Sequence, residues 1–416
     1  MSDWLAFAVL GALALLAGGL WAQRVLPARL AGIFMAGLFL RLIGSTARLG
    51  VIDEVYSGMS DAKGYFDFGR AYAALLRSFD FGFMFGEGTM DGRWWGTQFI
   101  RTVTGVVVFF TGDSIRATFL AFSLFSFAGL VLCVRGFGAV FGERAEARFA
   151  SLVWLWPSLW FWPSSIGKES LMLLCTGITV WGYLGKGQPR WLVVALGLAA
   201  TAAIRPHVAT VVAGALLVAE SLGPAKSFNW RKVAGSVIAI ALTLYSVQAS
   251  LSQLGLADAD LEGVQEHFEF RASKTEQGGS QISMSRGWAS VPMAFITILA
   301  RPFLWEARGI ALLSALEITG FWLVVLSRRH NAWSIMKNWR SSAFTRFGMA
   351  FVLGISLMYG LAFANLGIIA RQRAVLLPFL LTLITGPLFG EEAEKADEVT
   401  PPAQPPRLDP VQKVDV

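Results

Sequence analysis

The sequence predicts an all-α polytopic membrane protein of about eleven transmembrane helices, with further interfacial or re-entrant helices on the external side. Three observations lead there. The 416-residue chain is 55% hydrophobic, with 32 Phe, 16 Trp and a mean hydropathy of +0.56, which is too apolar for an ordinary soluble domain. Apolar runs long enough to cross a bilayer recur along most of it, without the short alternating segments of a transmembrane barrel. The Lys and Arg residues of the short loops fall on one side once those runs are taken as spans.

The spans, in order, are roughly 3–22, 30–50, 113–134, 149–163, 169–185, 191–204, 207–223, 234–252, 309–327, 346–365 and 374–389. The first, within MSDWLAFAVLGALALLAGGLWA, has no Lys or Arg ahead of its apolar stretch, so it reads as a retained helix rather than a signal peptide. Several spans are shorter than ~20 residues and suit broken helices that line a cavity. Residues 97–112 and 289–304 are apolar too. Counting them as spans would break the charge pattern, so they are assigned as interfacial or re-entrant.

Arg24, Arg29, Arg135, Arg144, Arg148, Lys186, Arg190, Lys226, Arg231 and Lys232 then share the cytoplasmic side with the basic stretch SRRHNAWSIMKNWR. The N-terminus is external and the C-terminus cytoplasmic. Residues 1–390 form the membrane domain. Residues 391–416 form an acidic, Pro-rich cytoplasmic tail of disordered type. The external side holds two long loops, 51–96 and 253–288. No internal repeat is present, which weakens a repeat-built transporter. The net charge of +7 is spread over loops rather than gathered on one face, so nucleic acid is not the expected partner. Cys133 and Cys175 lie inside apolar runs and read as core packing.

Short charged motifs at span ends all fall on the external face. The first long loop carries Asp53, Glu54 and Asp61 in VIDEVYSGMSDAKGYFDFGRAY. The break WFWPSSIGKES carries Lys168 and Glu169. IRPH carries Arg205 and His207, RPFLWEAR carries Arg301, Glu306 and Arg308, and IIARQRAVLLP carries Arg371 and Arg373. A cationic, partly acidic pocket assembled from these suits a lipid-linked phosphate or pyrophosphate.

Charges between two apolar runs are costly unless they work or are paired. Ser164, Ser165 and Gly167 suggest a helix start with a serine N-cap, whose free N–H groups and positive dipole end, joined by Lys168, favour a phosphate. Glu169 then orients the lysine or pairs with an arginine. Interfacial anchoring by a Lys168–Glu169 pair explains that break equally well on local grounds. Asp61 opens a segment with surface-helix spacing at Tyr65, Phe66, Phe68, Tyr72 and Leu75, able to lie on a membrane over the pocket. A carboxylate there serves as general base for an incoming hydroxyl, although a helix N-cap at Ser60 or Asp61 fits the same residues. Asp53 and Glu54 are adjacent, so at most one serves; both follow the second span closely enough to pair with Arg48 instead, which is a structural role. Arg41 and Arg48 stand two turns apart on one face of the second span; Arg41 is the deeper and the stronger functional candidate, Arg48 the more readily explained by snorkelling. No metal-ligand spacing, Walker loop or dinucleotide fingerprint appears. No cofactor is named, and a divalent cation stays open.

These motifs together resemble the GT-C class of membrane glycosyltransferases, which use polyprenyl-phosphate or polyprenyl-pyrophosphate sugar donors. An early span is followed by a long external loop with an acid in SDAKGY. WFWPSSIGKES is similar to the Pro-Ser, Lys-Glu break of bacterial members, and RPH, RPFLWEA and ARQRAVLLPF are similar to their later basic motifs, over roughly residues 25–390. The resemblance implies Asp61 as general base, with Asp53 and Glu54 competing for that role. It places Lys168, Arg205, Arg371 and Arg373 on the donor phosphate. His207 and Arg301, in the same basic motifs, are expected on the donor phosphate as well, and Glu169, Arg41 and Glu306 would be supporting residues. The chain departs from the class in its extra N-terminal span and the absence of a large soluble C-terminal domain.

The expected function is transfer of a sugar from that donor to a hydroxyl on a glycan, lipid or protein, at the external face of a bacterial inner membrane. An arginine-driven polymerase or ligase of lipid-linked oligosaccharides is the nearest alternative. A transporter or lipid flippase fits less well, because the polar residues cluster at one face.

Overall fold

The computed structural model describes residues 2–87, 93–185, 189–223, 290–363 and 365–386, with the single positions 241 and 248. Every regular element among them is helical, and no β-strand occurs. Among the described residues four helices are long and apolar enough to cross a membrane: α1 (Asp3–Val25), α2 (Ala28–Glu54), α5 (Ile115–Phe141) and α14 (Ala343–Ala362). Two bent pairs raise that to six if each counts as one span. One is α12 (Ala311–Ser327) with α13 (Arg329–Lys337), bent by 80°; the other is α15 (Leu366–Arg373) with the turns over Leu377–Thr385, bent by 65°.

The expectation of about eleven spans is therefore not reached by length and composition. Helices α8 (Lys168–Leu184), α9 (Trp191–Ile204) and α10 (Pro206–Ser221) sit where spans were expected but have 17, 14 and 16 residues. The expected span 149–163 is two pieces, α6 (Glu143–Leu155) and α7 (Pro157–Phe161). Pro157 sets that break, since it has no N–H to give the preceding turn and holds Trp156 in extended backbone. The described part of the expected span 374–389, which ends at residue 386, holds two four-residue helices, Leu377–Leu380 and Thr382–Thr385. The expected span 234–252, the loop 253–288 and the tail 391–416 lie outside the described residues, apart from positions 241 and 248.

Helix α3 (Asp61–Arg77) buries Ala62, Phe66, Gly69 and Ala73, one stripe at spacings of three and four. That stripe lies on α4 (Thr97–Thr111), where Gly69 faces Thr104 and Gly105 faces Tyr72. The helix expected after Asp61 therefore forms, and it packs on the helix formed by the apolar run 97–112. α2 buries Arg41, Gly44, Ser45, Arg48 and Ile52 along one face. Gly44 on that face lies so close to Trp160 that an added Cβ would overlap the Trp160 carbonyl oxygen. This contact holds α2 against α7, just ahead of the irregular segment 162–167 that precedes α8. α8 crosses α5 where Gly129 and Gly177 meet backbone to backbone, leaving no room for a Cβ on either. α9 and α10 follow α8, α10 packs on α14, and α11 (Ser290–Ala300) packs on α14 at Gly360. Cys133 and Cys175 are free and buried, as packing residues should be.

Candidate functional site

The C-terminal end of α2, the starts of α3 and α8, the junction of α9 with α10 and the end of α15 converge on one cavity of about 90 Å³. It is lined by Arg48 from α2, Asp61 and Tyr65 from α3, Lys168 and Glu169 from α8, Arg205, and Arg371 from α15. Four of the motifs read from the sequence thus meet in space, across up to 310 positions of chain (371 − 61).

Glu169 is the centre of the charge arrangement. It is 4% exposed. Its Oε1 accepts from Arg205 Nη2 at 3.1 Å and from Gln372 Nε2 at 2.8 Å. Arg371 Nε lies 3.3 Å from the same oxygen, close enough for an ion pair but without hydrogen-bond alignment. Arg205 Nη1 also donates to the Tyr359 hydroxyl at 2.9 Å and to Gln372 Oε1. The bond from Gln372 to Glu169 closes a ring of three side chains, each holding the other two. A carboxylate this buried is tolerated because its charge is matched and its lone pairs are used. Glu169 therefore pairs with arginines, and the local alternative of a Lys168–Glu169 pair is not what forms.

The start of α8 corrects one expectation. Gly167, not a serine, is the N-cap residue, and no side chain caps the helix. Ser164 is turned into the core, where it bonds to Ser123 and to the Trp160 carbonyl, and the Ser165 carbonyl accepts from Ser170. The serines are used by the fold, so the first N–H groups of α8 have no hydroxyl over them. Lys168 follows directly, half-buried, with Nζ 3.3 Å from the Thr97 hydroxyl of α4.

At α3 the ambiguity between cap and acid is resolved. Ser60 is the N-cap and its hydroxyl accepts from Lys63 N–H, leaving Asp61 exposed on the cavity wall. Tyr65 is one turn further along the same helix. Burial, joined by the nearby Asp61 and Glu169 carboxylates, pushes its phenol above the ordinary value, so it is a neutral donor at physiological pH.

Other predicted residues are not brought to the cavity. Asp53 is paired with Lys63 at 2.6 Å rather than with Arg48; the start of α3 folds back and offers the nearer cation. Glu54 is exposed at the end of α2. His207 stands against Tyr359, with ring centroids 6.5 Å apart. Arg301 is closed on Glu306 by a bidentate pair. Arg373 is turned away from Arg371 and donates to the carbonyls of Ile298 and Arg301, holding α11 to α15. Arg41 is fully buried, donates to the Leu159 carbonyl and lies 5.0 Å from the Phe127 ring centre. These arginines organise backbone.

Four residues of interest carry little signal in the sequence. Arg48 is open to explanation there by snorkelling. Tyr65 and Gln372 carry no charge, and only the spacing Asp61–Tyr65 on one helix face hinted at the first. Glu317 lies inside the apolar run 309–327, where a carboxylate is itself a signal. It accepts from the backbone N–H of Ser158 at 3.0 Å and from the Ser158 hydroxyl, closing the break before α7. Among the described residues no group of three or more metal-ligating side chains stands together. Comparison with protein-family models, with curated proteins and with solved structures finds no match to this chain.

Proposed function

We propose that the chain is a multi-pass membrane glycosyltransferase of GT-C type, moving a sugar from a polyprenyl-phosphate or -pyrophosphate donor to a hydroxyl acceptor in cell-envelope or exopolysaccharide assembly. The reading places about eleven spans in a bacterial inner membrane, with the shorter helices crossing as broken spans. The cavity then opens at the external face. One observation carries the reading: an exposed carboxylate, Asp61, shares a single small cavity with Lys168, Arg205 and Arg371.

The chemistry follows from that placement. The donor's phosphate lies against the cationic wall, and the acceptor hydroxyl approaches from the α3 side. Asp61 takes the hydroxyl proton as the oxygen bonds to the anomeric carbon. The bond from that carbon to the phosphate oxygen breaks, and the electron pair leaves with the phosphate. The fixed cations meet the charge that develops there, without rearrangement of solvent. Glu169 keeps Arg205 and Arg371 in place through the step.

The purified protein should transfer sugar from a lipid-linked donor, and Asp61→Asn should abolish transfer while leaving expression and the unfolding midpoint unchanged. Asp53→Asn should keep most of the activity, since Asp53 is committed to Lys63. Full activity in Asp61→Asn would sink the base mechanism and favour the arginine-driven polymerase.

A further inference from the structure

Of the cavity's four cations, two are already matched. Arg205 and Arg371 share the Glu169 carboxylate. The other two are Arg48 and Lys168. Among the described residues, no carboxylate lies within ion-pair distance of either. Lys168 has only a neutral hydroxyl, that of Thr97, at 3.3 Å. Arg48 is 6% exposed, and its Nε and Nη1 make no hydrogen bond. Its guanidinium is instead boxed by aromatic rings, with ring centres at 4.9 Å for Trp162, 5.5 Å for Phe161 and 5.9 Å for Tyr56. Rings of this kind hold the orientation of a guanidinium, and the Tyr56 hydroxyl takes one hydrogen bond from it, but Nε and Nη1 stay without a partner.

A buried guanidinium with unused donors is expensive for a fold to keep. Arg48 lines a cavity whose wall also carries the half-buried Lys168 at the start of α8, where the N-cap residue is Gly167. A planar guanidinium and an ammonium on the wall of one cavity, beside the positive end of a helix, fit an oxyanion of two negative charges. We propose that a phosphate group binds between Arg48 and Lys168, and that Glu169 reserves Arg205 and Arg371 for shaping the site rather than for first contact. This rests on the glycosyltransferase reading only for the identity of the ligand; the anion site itself stands on the geometry. Arg48 thereby becomes a binding residue, and the arginines most visible in the sequence become positioning residues.

The test uses the full-length protein in detergent, titrated separately with inorganic phosphate, inorganic pyrophosphate and farnesyl phosphate, reading the thermal unfolding midpoint by tryptophan fluorescence. The wild type should show a saturable rise with at least one probe. A rise with phosphate alone identifies a free-anion site, and a rise that needs the prenyl chain identifies a lipid headgroup. Arg48→Met and Lys168→Met should each weaken binding tenfold or more, while Arg48→Lys keeps part of it and Arg70→Gln, at an exposed pair, keeps all of it. The ligand-free midpoint of Arg48→Met should not fall, because an unused buried charge has been removed. Wild-type silence toward all three probes, unchanged binding in Arg48→Met, or an Arg48→Met protein that does not fold would each overturn the proposal. Its failure is separable from that of the catalytic reading: Asp61→Asn tests turnover without touching these cations, and Arg48→Met tests binding without turnover.

Discussion

Replacing Glu169 by glutamine keeps the shape of the side chain and removes the charge that organises the cavity. The Arg205 pair is the stronger of its two ion pairs: the distance is 3.1 Å and the side chains are 11% and 5% exposed. A charge-assisted bond in that setting contributes about 1.5–3 kcal/mol. The Arg371 pair is longer, and the arginine side chain is 30% exposed, so solvent screens it to about 0.5 kcal/mol. Glutamine still offers an acceptor to Arg205 and Gln372, which recovers part of the loss. The net cost of Glu169→Gln should be about 2–3 kcal/mol. The assay is unfolding by SDS in mixed micelles, run as a double-mutant cycle with Arg205→Gln. Arg205→Gln alone should also destabilise, and the double variant should lose about 1–2 kcal/mol less than the sum. Additivity within ~0.5 kcal/mol would mean that the two side chains do not work as a pair, and the account of the cavity's scaffold would be wrong.

Gly177→Ala should block folding, seen as loss of membrane-inserted protein, because its Cβ would overlap the Gly129 carbonyl oxygen and backbone cannot move aside; a cost of about 3 kcal/mol or more is expected. Arg70→Gln, at the exposed pair with Asp113, should leave both the unfolding midpoint and transfer essentially unchanged. Burial pushes the Glu306 carboxyl up, but hydrogen bonds from Arg301 and the Phe303 N–H outweigh that and hold it below the ordinary carboxylate value. The stability it lends to the turn 301–308 should therefore be complete above its unfolded pKa of about 4.3 and vanish as pH falls through the lower folded value. Hydrogen exchange at the Phe303 amide, corrected for intrinsic rate, should accelerate below that range and not between pH 5 and 7.

The helices were legible where an apolar run ends at a residue that cannot continue it. Trp191–Ile204 was read to the residue, because Arg190 and the Arg205–Pro206 step bound it. The run 149–163 looked continuous because Trp156 and Pro157 do not lower hydropathy, although the proline ends the helix. At the site, charges stranded between apolar runs were visible, and Asp61, Lys168, Glu169, Arg205 and Arg371 do meet. Which arginine serves which role was not visible. Arg371 and Arg373 are two residues apart, and only packing shows that one faces the cavity while the other holds carbonyls of the α11 end. Gln372 between them bonds Glu169 across 203 positions, a contact with no local signature. Arg48 looked like a snorkelling residue because its aromatic box comes from Tyr56 and from the distant Phe161 and Trp162.

The central claim is that this protein consumes a lipid-linked sugar at the Asp61 cavity. Mass spectrometry of the lipid extract from a strain lacking the protein, complemented with either the wild type or Asp61→Asn, tests it most directly. The account predicts that a polyprenyl-linked sugar accumulates in the deletion strain, disappears with the wild type and persists with Asp61→Asn at equal expression. A lipid-linked sugar profile that is the same in all three strains would contradict it.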